Sequence, residues 1–418
     1  MRYVLAAVIP LEPTPESPRP APSAARHTRL IGCQGTAQLI TAIAAATCKE
    51  DRAGHDWRAD DNVLIIHDLY SPAAGDFERV VREMAAPLAD WKDIVTIPAE
   101  RLRSLKSLVS SRGAAAAIRE LRALIGVDRA DSLYLCRNWQ FGSELLLNAY
   151  RDSEKICYGD GIGLYSGRRD QPAAGLRHVW KRTLRRAFAR LRGVGRTELE
   201  SVAFDVGYLA GIASPGLDDR PPMPTHVVDA RWQRRVLDQL CEVDFAGLPA
   251  LRHAAGGRPC LVLIGESLSE SGTTTPAAEA ALYCDIVRGL DPTPGTLLLY
   301  KPHPRDNPQK VRQVAAELTR VVGEVRTLNE AAVPFLPFEL LFAVLFRESS
   351  IRRQVQVWTA GYTAMALQHL YGARVTYGIG DELIRRHFAP RHVASRIELE
   401  RYMRRYLAQF QAAPPVAA

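Results

Sequence analysis

The sequence has no run of the ~18 to 20 apolar residues that a membrane-spanning helix requires, and the apolar stretch at Met1 to Pro10 is too short before prolines intervene to serve as a signal peptide. Secretion and membrane spanning are therefore not expected. The seven cysteines, at 33, 48, 136, 157, 241, 260 and 284, are odd in number and never closer than 15 positions. That spacing offers neither a disulfide framework nor a Cys-x-x-Cys metal knuckle, and a reducing cytoplasm is the simplest home. There is no His-Glu-x-x-His, no Walker A lysine and no Asp-x-Asp, so no metal site and no P-loop is expected.

What is present is enough apolar material for two or three domains: 418 residues, 47% hydrophobic and 24% charged. The net charge of +8 is concentrated in one place. Residues 168 to 196 hold ten Lys/Arg and one acid, Asp170, for a local +9, so the rest of the chain sums to −1. A fold-wide nucleic-acid surface is excluded by that distribution. Leu176, Trp180, Leu184, Phe188 and Leu191 recur within it at helical spacing, which predicts a basic amphipathic helix over 176–192. Such a helix suits an anionic glycan or the inner membrane face, or it packs its apolar stripe on its own domain.

Residues 1–28 are expected to be a flexible, proline-rich lead, because 9–25 carry six prolines and cannot form regular structure. From Arg29 onward, short apolar runs alternate with helical patterns. The runs are 29–32, 62–67, 93–97, 132–136 and 155–158; helices are expected at 36–48, 77–89, 114–125 and 143–150. A second series has strands at 260–264, 296–300, 325–328, 355–360 and 373–378, and helices at 276–289, 307–321 and 363–371. Leu340 to Phe346 reads as helix or strand. The expected fold class is α/β, with two Rossmann-like domains carrying parallel sheets, at 29–250 and 257–395. A last helix within 396–418 would cross back to the first domain.

Ligands of open parallel sheets bind beyond the carboxyl ends of strands, so the residues following each strand are the candidates. Lys301-Pro302-His303-Pro304 follows an apolar strand, and its two prolines hold His303 in a stiff turn beside Lys301. Such donors suit a phosphate, at about 1.5 to 3 kcal/mol per charge-assisted hydrogen bond. His303 capping the next helix is the alternative. Gly159-Asp160-Gly161 leaves a carboxylate accessible among glycines, or is a self-satisfied turn. Glu339 is a residue favoured by a helix dipole or a carboxylate aimed at vicinal hydroxyls. Gly361-Tyr362-Thr363 opens a helix where Thr363 would meet a phosphate or simply act as N-cap.

Taken in order, Thr36-Ala37-Gln38-Leu39, Gly159-Asp160-Gly161, Ser267 to Gly272, Lys301-Pro302-His303-Pro304, Pro337-Phe338-Glu339 and Gly361-Tyr362-Thr363 resemble bacterial sialyltransferases of the two-domain GT-B type. They are most similar to the capsular alpha-2,8-polysialyltransferases and the lipooligosaccharide sialyltransferases, over roughly residues 29–380. The resemblance implies a CMP-sugar co-substrate with no other cofactor, a glycan or anionic polysaccharide acceptor, and a cytoplasmic enzyme that is peripheral at the inner membrane. It implies Asp160 as general base, and His303, Lys301 and Pro304 with Tyr362 and Thr363 at the donor phosphate. Glu339 would hold ribose hydroxyls, and Thr36, Gln38, Arg182 and Arg186 the acceptor. Gly159 stands where the family has a first acid, and Tyr362 where it has a first serine. A Kdo or other nucleotide-sugar transferase, or a non-catalytic anionic-glycan-binding relative, are the competing readings.

Overall fold

The computed structural model describes residues 26–69, 73–159, 198–210, 223–256, 258–347 and 354–411. In the first half, β1 (Thr28–Cys33), β2 (Asp61–His67), β3 (Trp91–Ile97), β4 (Ser132–Leu135), β5 (Glu154–Cys157), β6 (Val206–Ala210) and β7 (Thr225–Val228) form one sheet in the order β3-β2-β1-β4-β5-β6-β7. In the second, β8 (Cys260–Ile264), β9 (Leu297–Lys301), β10 (Val325–Thr327), β11 (Gln356–Thr359) and β12 (Val375–Tyr377) are ordered β10-β9-β8-β11-β12. Every described strand pair is parallel. The central strands β1, β2, β4, β8 and β9 are buried almost throughout, which explains why they read as continuous apolar runs rather than alternating ones. This is the expected α/β architecture, two Rossmann-like halves with parallel sheets facing across a cleft.

The first half carries α1 (Thr36–Ala53), α2 (Ala74–Ala85), α3 (Ala99–Arg112), α4 (Ala114–Ile125) and α5 (Phe141–Ala149). The connector holds α6 (Ala230–Cys241) and α7 (Leu248–Ala255). The second half has α8 (Pro276–Leu290), α9 (Pro308–Val322), α10 (Phe338–Leu345), α11 (Thr363–Tyr371), α12 (Asp381–His387) and α13 (Pro390–Gln411). Local chemistry sets the starts of α8 and α9: Thr275 and Asn307 accept from backbone N–H groups as N-caps, and Pro276 and Pro308 occupy the first turn, where their missing N–H costs nothing.

Several expectations need correction. Leu340 to Phe346, open between helix and strand, is helical through Leu345 with Phe346 as C-cap, and its uniform apolarity reflects burial on nearly all sides. The connecting helix α7, which the sequence pattern did not single out, packs on α10 of the second half. The last helix was expected to cross back to the first domain; α13 packs instead on α11 and α12, with Met403 and Leu407 against Ala364 and Met365. Polar bonds fix it there. Glu400 accepts from the N–H groups of Ile379 and Gly380, and Arg396 donates to the Ala360 carbonyl. Helix α6 joins the halves, packing on α1 of one and on α10 and α11 of the other. No helix among the described residues is long and apolar enough to cross a membrane.

Candidate functional site

Strand order reverses direction at β1/β4 in the first sheet and at β8/β11 in the second, and a crevice opens where helices diverge at such points. Both crevices face one another. They form a cleft of about 490 Å³ lined by Gln34, Thr36, Gln38, Asp68, Arg137 and Gln140 from the first half, and by Gly265, Lys301, His303, Pro304, Arg305, Glu339 and Thr363 from the second. Residues separated by more than 300 positions thus share one hollow. Phe77 stacks on Phe335 with ring centroids 5.3 Å apart, and the Thr36 hydroxyl donates to the Phe335 carbonyl at 2.6 Å, so the two halves touch at the edge of the cleft.

The turn after β9 is held from within. The His303 N–H donates to Asp306 Oδ2 at 2.9 Å, and the Arg305 N–H donates to His303 Nδ1 at 3.1 Å. Because Nδ1 accepts, the neutral ring carries its proton on Nε2. Burial, helped by Arg305, Lys301 and Lys310, pushes the His303 pKa down to about 3, so the imidazole is a neutral donor at ordinary pH. His303 does not cap the next helix; Asn307 does. Lys301, 4% exposed, donates through Nζ to the carbonyls of Pro334 at 2.6 Å and Pro302 at 3.3 Å. It therefore ties the turn to the 333–335 segment, and burial lowers its pKa from 10.5 to about 8 against the pull of Asp306 and Glu339.

Glu339 lies in the first turn of α10, where burial raises its pKa although its own N–H and Lys301 favour the charged form. Thr363 is not an N-cap. The cap position is Tyr362, no side chain caps the helix, and Thr363 is the first helical residue on the cleft wall. Tyr362, 38% exposed, lines an adjoining hollow of about 180 Å³ with Gln38, Glu339 and Thr363. Gln38 accepts the Gln34 N–H at 2.8 Å. Asp160, Arg182, Arg186 and the basic helix over 176–192 lie outside the described residues. Gly159, immediately before Asp160, has φ 69°, a left-handed conformation that glycine alone adopts without strain.

Sequence reasoning missed Arg305 and the pair His67 and Asp68, all in the cleft or directly behind it. The signal existed, since Arg305 adjoins the His-Pro element and His67-Asp68 immediately ends a strand, the same position searched elsewhere.

No family model and no curated protein matches the chain. Among solved structures it is similar to a putative UDP-N-acetylglucosamine 2-epimerase from Listeria monocytogenes, at 12% identity over 82% of this chain and 76% of that one, with a TM-score of 0.46. It is similar also to the UDP-GlcNAc 2-epimerase of Methanocaldococcus jannaschii in complex with UDP-GlcNAc and UDP, at 10% identity over 86% and 91%, TM-score 0.43. A third likeness is to E. coli ADP-heptose LPS heptosyltransferase II, at 11% identity over 92% and 100%, TM-score 0.34. What fold and site define together is a class: a two-halved α/β protein whose cleft sets a donor-rich wall against a wall of amides, one carboxylate and Arg137.

Proposed function

We propose that the protein is an inverting, metal-independent glycosyltransferase that moves a sialic-acid-type sugar from a CMP-sugar to a glycan hydroxyl. The observation that carries this reading is the meeting of the 301–305 turn, Glu339 and the uncapped start of α11 in one cleft with the first half. A leaving phosphate placed there would meet the His303 Nε2–H donor, the Arg305 guanidinium and the first N–H groups of α11, a set that performs the electrostatic work a metal does elsewhere. Glu339 is within the same wall for the ribose hydroxyls. Asp160, from the other half, takes the proton of the acceptor hydroxyl as its oxygen attacks the anomeric carbon and the phosphate departs with the bond's electron pair. The basic segment 168–196 engages an anionic glycan or the inner membrane face.

Two measurements test the reading. Thermal stabilisation by CMP should exceed that by UDP or GDP, since a ligand at a hundred times its Kd stabilises by about 2.7 kcal/mol and one that does not bind adds nothing. Larger shifts with UDP or GDP would remove the CMP assignment and leave a transferase of another donor.

The second concerns protons. Lys301 in the free protein has a pKa of about 8, below its ordinary 10.5, and a phosphate nearby favours its charged form. Binding of CMP at pH 9 should therefore take up protons, and affinity should weaken as pH rises through 8. Calorimetry in two buffers of different ionisation enthalpy reads the uptake directly. Lys301→Met should abolish it, and buffer-independent heats in the wild type would contradict a phosphate beside Lys301.

A further inference from the structure

The small hollow that adjoins the cleft lies where α1, α6 and α11 come together, and its walls carry side chains too short to fill it. Ala37, Ala210 and Ala366 line it beside Ile40, Leu237 and Leu370, so its surface is largely aliphatic. Two amides stand among these groups, Gln38 from α1 and Gln233 from α6. Gln38 Oε1 accepts the Gln34 N–H, so the NH2 of that amide is the end that donates. Among the described residues lining the hollow there is no Lys, Arg or His, and Glu339 is the one carboxylate. Glu339 and Thr363 border both the hollow and the main cleft. A sugar tied to a phosphate at the start of α11 therefore has its substituents within a few bonds of the opening.

This lining selects among the substituents of a sialic-acid-type sugar. The carboxylate finds no cation there and meets Glu339. A polyhydroxylated tail would set its hydroxyls against aliphatic walls, at about 1 to 3 kcal/mol for each left unpaired. An acylamino group suits both parts, its amide pairing with the side-chain amides and its alkyl end covering the apolar surface. Resting on the transferase reading above, we propose that the hollow between α1, α6 and α11 receives the N-acyl group of the donor sugar and so sets which donors are used. A water-sized group occupies about 30 Å³, so a hollow of about 180 Å³ has room for more than an acetyl group, and longer acyl chains enter it as well.

The test is steady-state transfer by the full chain to one acceptor from CMP-sugars that differ only at this position: the N-acetyl donor, its N-butanoyl analogue, and an analogue with a hydroxyl in place of the acylamino group. Wild type should use the N-butanoyl donor within about threefold of the N-acetyl donor in kcat/KM. The hydroxyl analogue should be about tenfold or more worse, the loss expected when an apolar group is missing from its pocket. Ala366→Leu fills the hollow from α11 and Ala37→Leu fills it from α1. Each should lower kcat/KM for the N-butanoyl donor about tenfold more than for the hydroxyl analogue. An active wild type that uses the N-acetyl donor and the hydroxyl analogue equally, or rejects the N-butanoyl donor, overturns this inference alone. A thermal shift with CMP that both filled variants lose would give the hollow to the nucleoside and overturn it too. No transfer from any of these donors overturns the transferase reading and this inference with it. Should neither filled variant fold, the wild-type donor series decides.

Discussion

Lys310→Met is expected to destabilise the protein by about 3 to 5 kcal/mol, the usual consequence of removing one partner from a buried ion pair. Lys310, its side chain 3% exposed, reaches Glu270 at 2.6 Å, Asp306 at 2.8 Å and Glu279 at 3.0 Å. Glu279 is fully buried and also accepts from Ser269 N–H and the Tyr283 hydroxyl, while Asp306 accepts from His303 N–H. One ammonium thus joins α9, α8, the 265–272 loop and the turn carrying His303. Without it three carboxylates face one another in a low-dielectric site. Burial already pushes Asp306 up to about 6, against the opposing pull of Lys310. A carboxyl whose pKa is raised on folding contributes stability that is fully present below its unfolded value and lost as pH rises through the folded one. The penalty of Lys310→Met should therefore be larger at pH 8 than at pH 5, where the stranded carboxyls take up protons. Urea unfolding at the two pH values measures it. A cost below about 1 kcal/mol at pH 8 would place the network among ion pairs that contribute little.

The same network shows which parts of the site were legible beforehand. The stiffness of Lys301-Pro302-His303-Pro304 follows from two prolines in consecutive-but-one positions, and the strand ends follow from apolar runs of four to seven residues, so the placement of the turn at a strand's carboxyl end was readable. What anchors the turn was not, because Pro334, Glu270 and Glu279 lie 31 to 40 positions from their partners within the turn or α9, beyond any local pattern. That a donor of neutral charge results at His303 depends on burial that no sequence window reports. Helix α3 was passed over although Leu102, Leu105 and Val109 mark its buried face, since its many charges mask a narrow apolar stripe. Helix 338–345 remained ambiguous for the opposite reason: with almost every residue apolar, no period survives to separate helix from strand. Asp68 was missed because a single carboxylate after a strand carries no motif. Its surroundings are set by Gly142 on another element, where a Cβ would overlap Asp68 Oδ2 and stand 2.9 Å from His67 Nδ1.

Asp160→Ala is expected to lower turnover by about 10²- to 10⁴-fold, the contribution of a general base, while CMP binding is retained. The backbone at Gly159 adds a sharper expectation. The resemblance would suggest that Gly159→Glu restores an acid to the motif and raises the rate. Gly159, however, has φ 69°, and a Cβ there would stand 3.0 Å from Leu209 Cδ2. An L-residue in that region costs about 1 to 2 kcal/mol before any displacement of Leu209. Relieving the strain rotates the chain at the end of β5, directly before Asp160 in the sequence. Gly159→Glu should therefore lose turnover and stability together, and Gly159→Ala should show the same loss without added charge. Full turnover in Asp160→Ala, or a faster enzyme from Gly159→Glu, would remove Asp160 as the base and leave the 301–305 turn serving a ligand-binding protein.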